Sequence, residues 1–287
     1  MKKTSQQRRK ARAVPPAADS AKKHIAVHEI TSWPQFVALV NDDRLATWAF
    51  RGQADETWPL SSKLTRELTN RDVHPANWEG QEEYILRFFQ RHSYHFVAKM
   101  AEIDDTPRWL ALMQHHGAPT RLLDFSWSPY VAAFFALEAA TRDSAVWAVN
   151  SGNLQSYAFG PYRGENPRPI TFNALLRSIG AQGPDAVVFG EPYFKNQRLI
   201  AQSATFAWPR DITRPLENIL GARPNMVSKI IFRGKEVRRE GLKQLLRMNI
   251  TNATLFPDLD GLARSLNCML QFHWAFDPTR PRRSTPR

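Results

Sequence analysis

Residues 113–126 read MQHHGAPTRLLDFS, and the residue types gathered there are those of a polar site. His115 and His116 carry imidazoles that titrate near pH ~6.5 and can hydrogen-bond a hydroxyl or shuttle a proton. Arg121 offers a planar fork that grips a phosphate or a ribose in a way lysine does not copy. Asp124 can orient a histidine or an arginine, and Thr120 and Ser126 add hydroxyls. Upstream, Arg51 and Gly52 close the run LATWAFRG, giving a second guanidinium. Downstream, Glu191 is a carboxylate, whereas Gln202 is an amide that can hydrogen-bond but cannot act as a general base. Together these residues suit a site that holds an anionic, hydroxyl-bearing ligand.

Each residue also has a structural use. Arg51 can brace Asp124 or Asp55, Arg121 and Asp124 are spaced to bridge each other, and His115 and His116 suit the C-terminus of a helix. Thr120 and Ser126 can bond the backbone of their own loop. Trp48, Trp58, Trp109 and Trp127 suit a core better than a stacking platform. Asp258 and Asp260 in FPDLDG lack the further oxygen ligands of a calcium loop, so they read as acids at a helix start and no metal site is predicted.

The elements that must position these side chains follow from pattern. Ser32 followed by Pro34 starts a helix over WPQFVALV. Residues 45–52 read as a strand ending at Gly52. Residues 79–101 form a long helix that packs Tyr84, Ile85, Phe88, Phe89 and Phe96 on the core. Another helix starts near Asp105 and ends at His115 or His116, stopped by Gly117 and Pro119. Ser128 caps the next, with Pro129 first in it. Strands are predicted at 145–150, 186–189, 204–208 and 228–233, and helices at 172–180, 214–221, 235–249 and 258–270. The polar cluster therefore falls where one helix stops and the next begins, a position that exposes side chains on a rigid support.

Composition bounds the rest. With 287 residues, 43% of them hydrophobic, the chain can bury a large core. No apolar run approaches the ~20 residues of a membrane span. The basic start is followed by AVPPAADSAKKH rather than an apolar stretch, and Cys268 is the single cysteine, so the sequence predicts a cytoplasmic protein without disulfides. The net charge of +12 is uneven. Residues 1–24 hold eight Lys/Arg against Asp19, and residues 275–287 hold four Arg against Asp277. These segments are rich in Pro, Ser and Thr, which predicts disordered basic tails over 1–25 and 275–287 around a single domain at 26–274. The tails are either contacts for nucleic acid or an acidic partner, or plainly solvated.

WAFRGQADETWPLSSKLTREL at 48–68 and LMQHHGAPTRLLDFSWSPYVAAFFALE at 112–138 resemble the two signature segments of the FRG-domain family, whose motif is here Phe50, Arg51 and Gly52. QRLIAQSATFAW at 197–208 and TNATLFPDLDGLARSL at 251–266 resemble its later segments. The family layout in turn resembles that of NAD-dependent ADP-ribosyltransferases. The resemblance implies an α+β fold with a mainly antiparallel central sheet flanked by helices, and NAD as the bound nucleotide. It implies NAD contacts from Arg51, Gly52, His115, His116, Thr120, Arg121, Asp124 and Ser126, and catalytic roles among Arg51, His116, Gln202 and Glu191. It further implies a toxin or phage-defence effector that modifies a protein or nucleic-acid target, and leaves open whether an antitoxin partner restrains it. Two other readings stand beside it: a metal-dependent nuclease using His115, His116, Asp124 and Glu191, and a binding module that holds a nucleotide or a protein without turnover.

Overall fold

The computed structural model describes residues 24–96, 106–152, 154, 185–191 and 196–272. Most of both tails and the expected helix at 172–180 lie outside the described residues.

The fold is mixed α+β around a seven-stranded sheet. The strands are β1 (Ile25–Ile30), β2 (Ala49–Gln53), β3 (Leu123–Ser126), β4 (Ser144–Val149), β5 (Val187–Gly190), β6 (Ala204–Pro209) and β7 (Val227–Phe232). Their order across the sheet is β1-β7-β4-β2-β3-β6-β5. Only β1 and β7 run parallel; every other neighbouring pair is antiparallel, as the resemblance implies. Strand β1 went unread in the sequence because it abuts the basic tail. The strand expected at 45–52 starts only at Ala49, since Asp42 accepts a hydrogen bond from the Arg44 amide (2.9 Å) and caps a 3-10 turn at Asp43–Leu45.

Helices cover both faces. On one, α1 (Trp33–Val40), α5 (Pro129–Leu137) and α8 (Gly234–Arg247) bury Phe36, Phe134 and Leu245 against Phe50, Val146, Ile230 and Phe232 of the sheet. On the other, Leu216, Ile219 and Leu220 of α7 (Leu216–Leu220) pack against Phe125, Trp147 and Val149. The capping signals act as the sequence suggests. Gln35 accepts from the Ser32 amide (3.3 Å), and Ser128 accepts from the Val131 amide (3.3 Å) with Pro129 at the start of α5.

Helix α2 (Lys63–Asn70) was not read, although Ser62 accepts from the Thr65 amide at 3.0 Å in the manner of an N-cap. Helix α3 (Trp78–Ser93) is shorter than expected and turns its aromatic residues two ways. Ile85 and Phe89 pack inward. Tyr84 and Phe88 are exposed, because they lie off the face that meets α4 (Thr106–His115), and Phe96 is exposed in the turn past the helix end. Gly117, at φ +80°, ends α4. Among the described residues no helix is long and apolar enough to cross a membrane.

Candidate functional site

Strand β2 pairs with β4 along its whole length, from Ala49↔Val149 to Gln53↔Ala145. With β3 it pairs at Phe50↔Ser126 alone. Beyond that contact the two strands part, and a cavity of about 600 Å³ opens between them, within the size range of small-molecule sites. Arg51, Gly52 and Gln53 of β2, Asp124 and Ser126 of β3, and Trp58, Arg66, Phe135, Arg198 and Gln202 from neighbouring elements line it. Arg198 and Gln202 come from α6 (Gln197–Ala201) and the residue that follows it.

Arg51 spans the parting strands. Its Nη1 donates to the Asp124 carbonyl at 2.6 Å and lies 3.9 Å from the Asp124 carboxylate. Its Nε is fully buried and has no hydrogen-bond partner, the one such side-chain atom found among the described residues. Burial pulls the Arg51 pKa below its ordinary value and Arg66 adds to this, while Asp124 opposes it. Leaving a buried donor unpaired costs about 1–3 kcal/mol, a cost that an acceptor within reach of Nε would remove. Gly52 faces the helix layer. A Cβ there would lie 2.0 Å from the Ala132 carbonyl oxygen and 2.6 Å from the Ala136 amide nitrogen, so only glycine lets β2 lie this close to α5.

Asp124 is exposed and tethered through Gln114, whose Nε2 donates to its Oδ1 at 2.7 Å. Thr120 is fully buried, donates to Gln114 Oε1 and accepts from the Leu122 amide (3.3 Å), so it steadies Gln114 rather than the cavity. Ser126 lines the cavity, but its hydroxyl bridges the Gln202 carbonyl (2.7 Å) and the Ser128 amide (3.0 Å). Gln202 donates from Nε2 to the Leu255 carbonyl (2.9 Å), which ties the end of α6 to α9 (Asn252–Leu255).

Other expected site residues stand elsewhere. Arg121 is not an anion grip at the cavity and does not bridge Asp124. It forks onto the buried carboxylate of Glu82 from Nε and Nη2, donates to the Arg210 carbonyl (3.1 Å) and lies over the Trp208 ring. His115 and His116 are exposed at the end of α4 and do not line the cavity. His115 meets Asn196 at 3.3 Å, and burial pulls its pKa below the ordinary imidazole value, with His116 and Arg198 adding to the effect. Glu191 accepts from Trp127 Nε1 at 2.6 Å, away from the cavity lining.

Trp58, expected in the core, is 53% exposed and lines the cavity, where Arg66 and Arg198, which the sequence did not single out, join it. A signal was available, since all three lie in the segments that carry the family resemblance. Asp258 does act at a helix start, accepting from the Gly261 amide (2.7 Å) at the head of α10 (Leu259–Phe272).

Fold and site thus define an α+β protein whose central sheet splits around an arginine-lined cavity. The family model of the FRG domain matches residues 46–145, from the approach to β2 into β4, and supports the FRG family over about a third of the chain. The match holds both Arg51 and Asp124, but not the segments at 197–208 and 251–266. No curated protein and no solved structure matches the chain.

Proposed function

We propose that the chain binds NAD as a substrate in the cavity between β2 and β3 and transfers its ADP-ribose to a macromolecular target. The observation that carries this reading is Arg51, a guanidinium held at the split of the sheet with a buried, unpartnered Nε and a second guanidinium, Arg66, nearby. Such an arrangement favours a pyrophosphate, whose oxygens satisfy forked donors. The exposed ring of Trp58 adds a face on which a heteroaromatic base can stack.

Transfer breaks the bond between nicotinamide and ribose, the electron pair leaving with nicotinamide, and joins the ribose carbon to a nucleophile of the target that gives up its proton. The developing positive charge on the sugar calls for a nearby carboxylate. Asp124 is the one carboxylate that lines the cavity among the described residues, so it takes the role first considered for Glu191. Gln202 and Gln53 offer hydrogen bonds to ribose hydroxyls.

The same lining fits a module that holds a nucleotide without turnover, and Asp124 separates the two readings. The nuclease reading is disfavoured because its residues are dispersed: Glu191 meets Trp127, Asp124 meets Gln114, and the histidines lie off the cavity.

Labelled NAD incubated with the protein and cell lysate tests the proposal. Wild type releases nicotinamide and labels a protein or nucleic-acid band, and Arg51→Ala lowers the rate by about 100-fold or more, the size of losing a donor preorganised for charge. NAD binding without release, unchanged in Asp124→Asn, selects the binding module. Absence of both binding and turnover overturns the proposal.

A further inference from the structure

The cavity holds a third guanidinium whose position the pyrophosphate reading does not use. Arg198 is half-buried at the lining, and among the described residues its side chain makes no hydrogen bond and no ion pair, while its carbonyl accepts from the Gln202 amide (3.0 Å). Its guanidinium carbon lies 4.4 Å from the centre of the Phe256 ring, and that of Arg264 lies at the same distance from the same ring. Contact with an aromatic face fixes a guanidinium while leaving its donors free.

The ring is itself held fast. Phe256 is 7% exposed and meets Phe135 edge-on at 6.0 Å. A Cβ on Gly261 would fall 1.9 Å from the Phe256 carbonyl oxygen, so α10 lies against it without clearance. Burial lowers the Arg198 pKa, Arg264 adds to this, and Asp124 and Asp258 oppose it without reaching ion-pair distance. Two cations thus share one ring, and one of them presents unpaired donors to the cavity.

We propose that Arg198 forms a second anion subsite, which takes a phosphate ester separate from the pyrophosphate gripped at Arg51. This deepens the NAD reading and rests on it. The ester has two sources, a phosphate on the dinucleotide's own ribose, as in NADP, or a phosphate of a nucleic-acid target. Arg264 backs the subsite through Phe256.

Calorimetric titration of the full chain with NAD, NADP and, in the presence of NAD, a 5′-phosphorylated oligonucleotide decides this, with Arg198→Gln and Arg198→Lys checked for folding by thermal melts. If the ester belongs to the dinucleotide, wild type binds NADP about tenfold more tightly than NAD, a factor suited to one charge-assisted contact at a half-exposed site. Arg198→Gln removes that preference and Arg198→Lys restores part of it. If it belongs to the target, NAD and NADP bind alike and Arg198→Gln weakens the oligonucleotide about tenfold instead. Equal binding of NAD and NADP together with an oligonucleotide response unaltered by Arg198→Gln overturns the subsite. Should neither dinucleotide bind, the NAD reading fails on its own, and inorganic tripolyphosphate then tests the subsite: dependence on both Arg51 and Arg198 sustains it, dependence on Arg51 alone overturns it.

Discussion

Arg121 and Arg51 show how burial and partners separate residues of one type. The side chain of Arg121 is 14% exposed and that of Glu82 is 7% exposed, so neither charge is stable there without the other. Removing one partner of a buried pair leaves an uncompensated charge and costs about 3–5 kcal/mol. Arg121→Ala is therefore expected to lower the melting temperature on the order of 10 °C. The fraction that remains folded should bind ligand as wild type does; a ligand defect with an unchanged melting temperature would return Arg121 to the site. Arg51 has the opposite profile, a half-buried cation whose buried Nε is left without a partner. Sequence showed both arginines but not this difference, because Glu82 lies 39 positions from Arg121 and nothing local couples them.

At the scale of elements, the site exists because two strands that pair at Phe50↔Ser126 diverge beyond it while α5 presses on one of them. Gly52 permits that pressing. In Gly52→Ala the new methyl meets backbone atoms, which cannot swing aside as a side chain end can, so overpacking of about 3 kcal/mol or more is expected. Urea unfolding should show a lower midpoint. Because Arg51 is the preceding residue of β2, nucleotide affinity should fall with it, whereas a normal midpoint and normal affinity would refute the close-packing account. Gly52 was read from sequence as a contact to the nucleotide, and it does line the cavity, but its close approach to α5 needed the helix in place. Helix ends were legible where a cap and a breaker coincide, as at Ser128–Pro129 and Gly117. Strand β1 was not, since it abuts the basic tail, nor was helix α2, whose apolar residues are only Leu64 and Leu68.

Over the whole molecule, strand β1, the turn after β2 and the loop before β4 are joined by one hub. Arg233 donates to Glu29 (2.7 Å), Glu56 (2.5 Å) and Asp143 (3.0 Å), which raises its pKa, and Asp143 also accepts from the Gly234 amide (2.8 Å). The Gly234 amide and Arg233 hold the Asp143 carboxyl below the ordinary value, and the Thr57 hydroxyl and amide do the same for Asp55. A depressed carboxyl contributes stability that is complete above its unfolded pKa of ~4 and is lost as pH falls through the folded value. His115 has the sign of a base with a lowered pKa: the unfolded chain binds its proton more readily, so its effect reduces stability as pH falls below ~6.5. Melting temperature measured against pH should be level above about 6.5, decline gently from there to about 4, and drop steeply below. A profile that keeps rising as the solution is acidified would contradict both assignments.

The sequence by itself determined the mixed α+β class, the basic ends, four of the strands within a residue or so, and the identity of Arg51, Asp124 and Ser126 as residues around one place. These follow from local pattern, from composition, and from a motif that keeps its residues close together. Tertiary structure alone decided which polar residues meet. It sent Arg121 to Glu82 and Glu191 to Trp127, kept the histidines off the cavity, and brought Arg66, Trp58 and Arg198 to it. The reason is geometric: a cavity between diverging strands is lined by side chains from distant segments, and no spacing along the chain encodes the angle at which those segments pack.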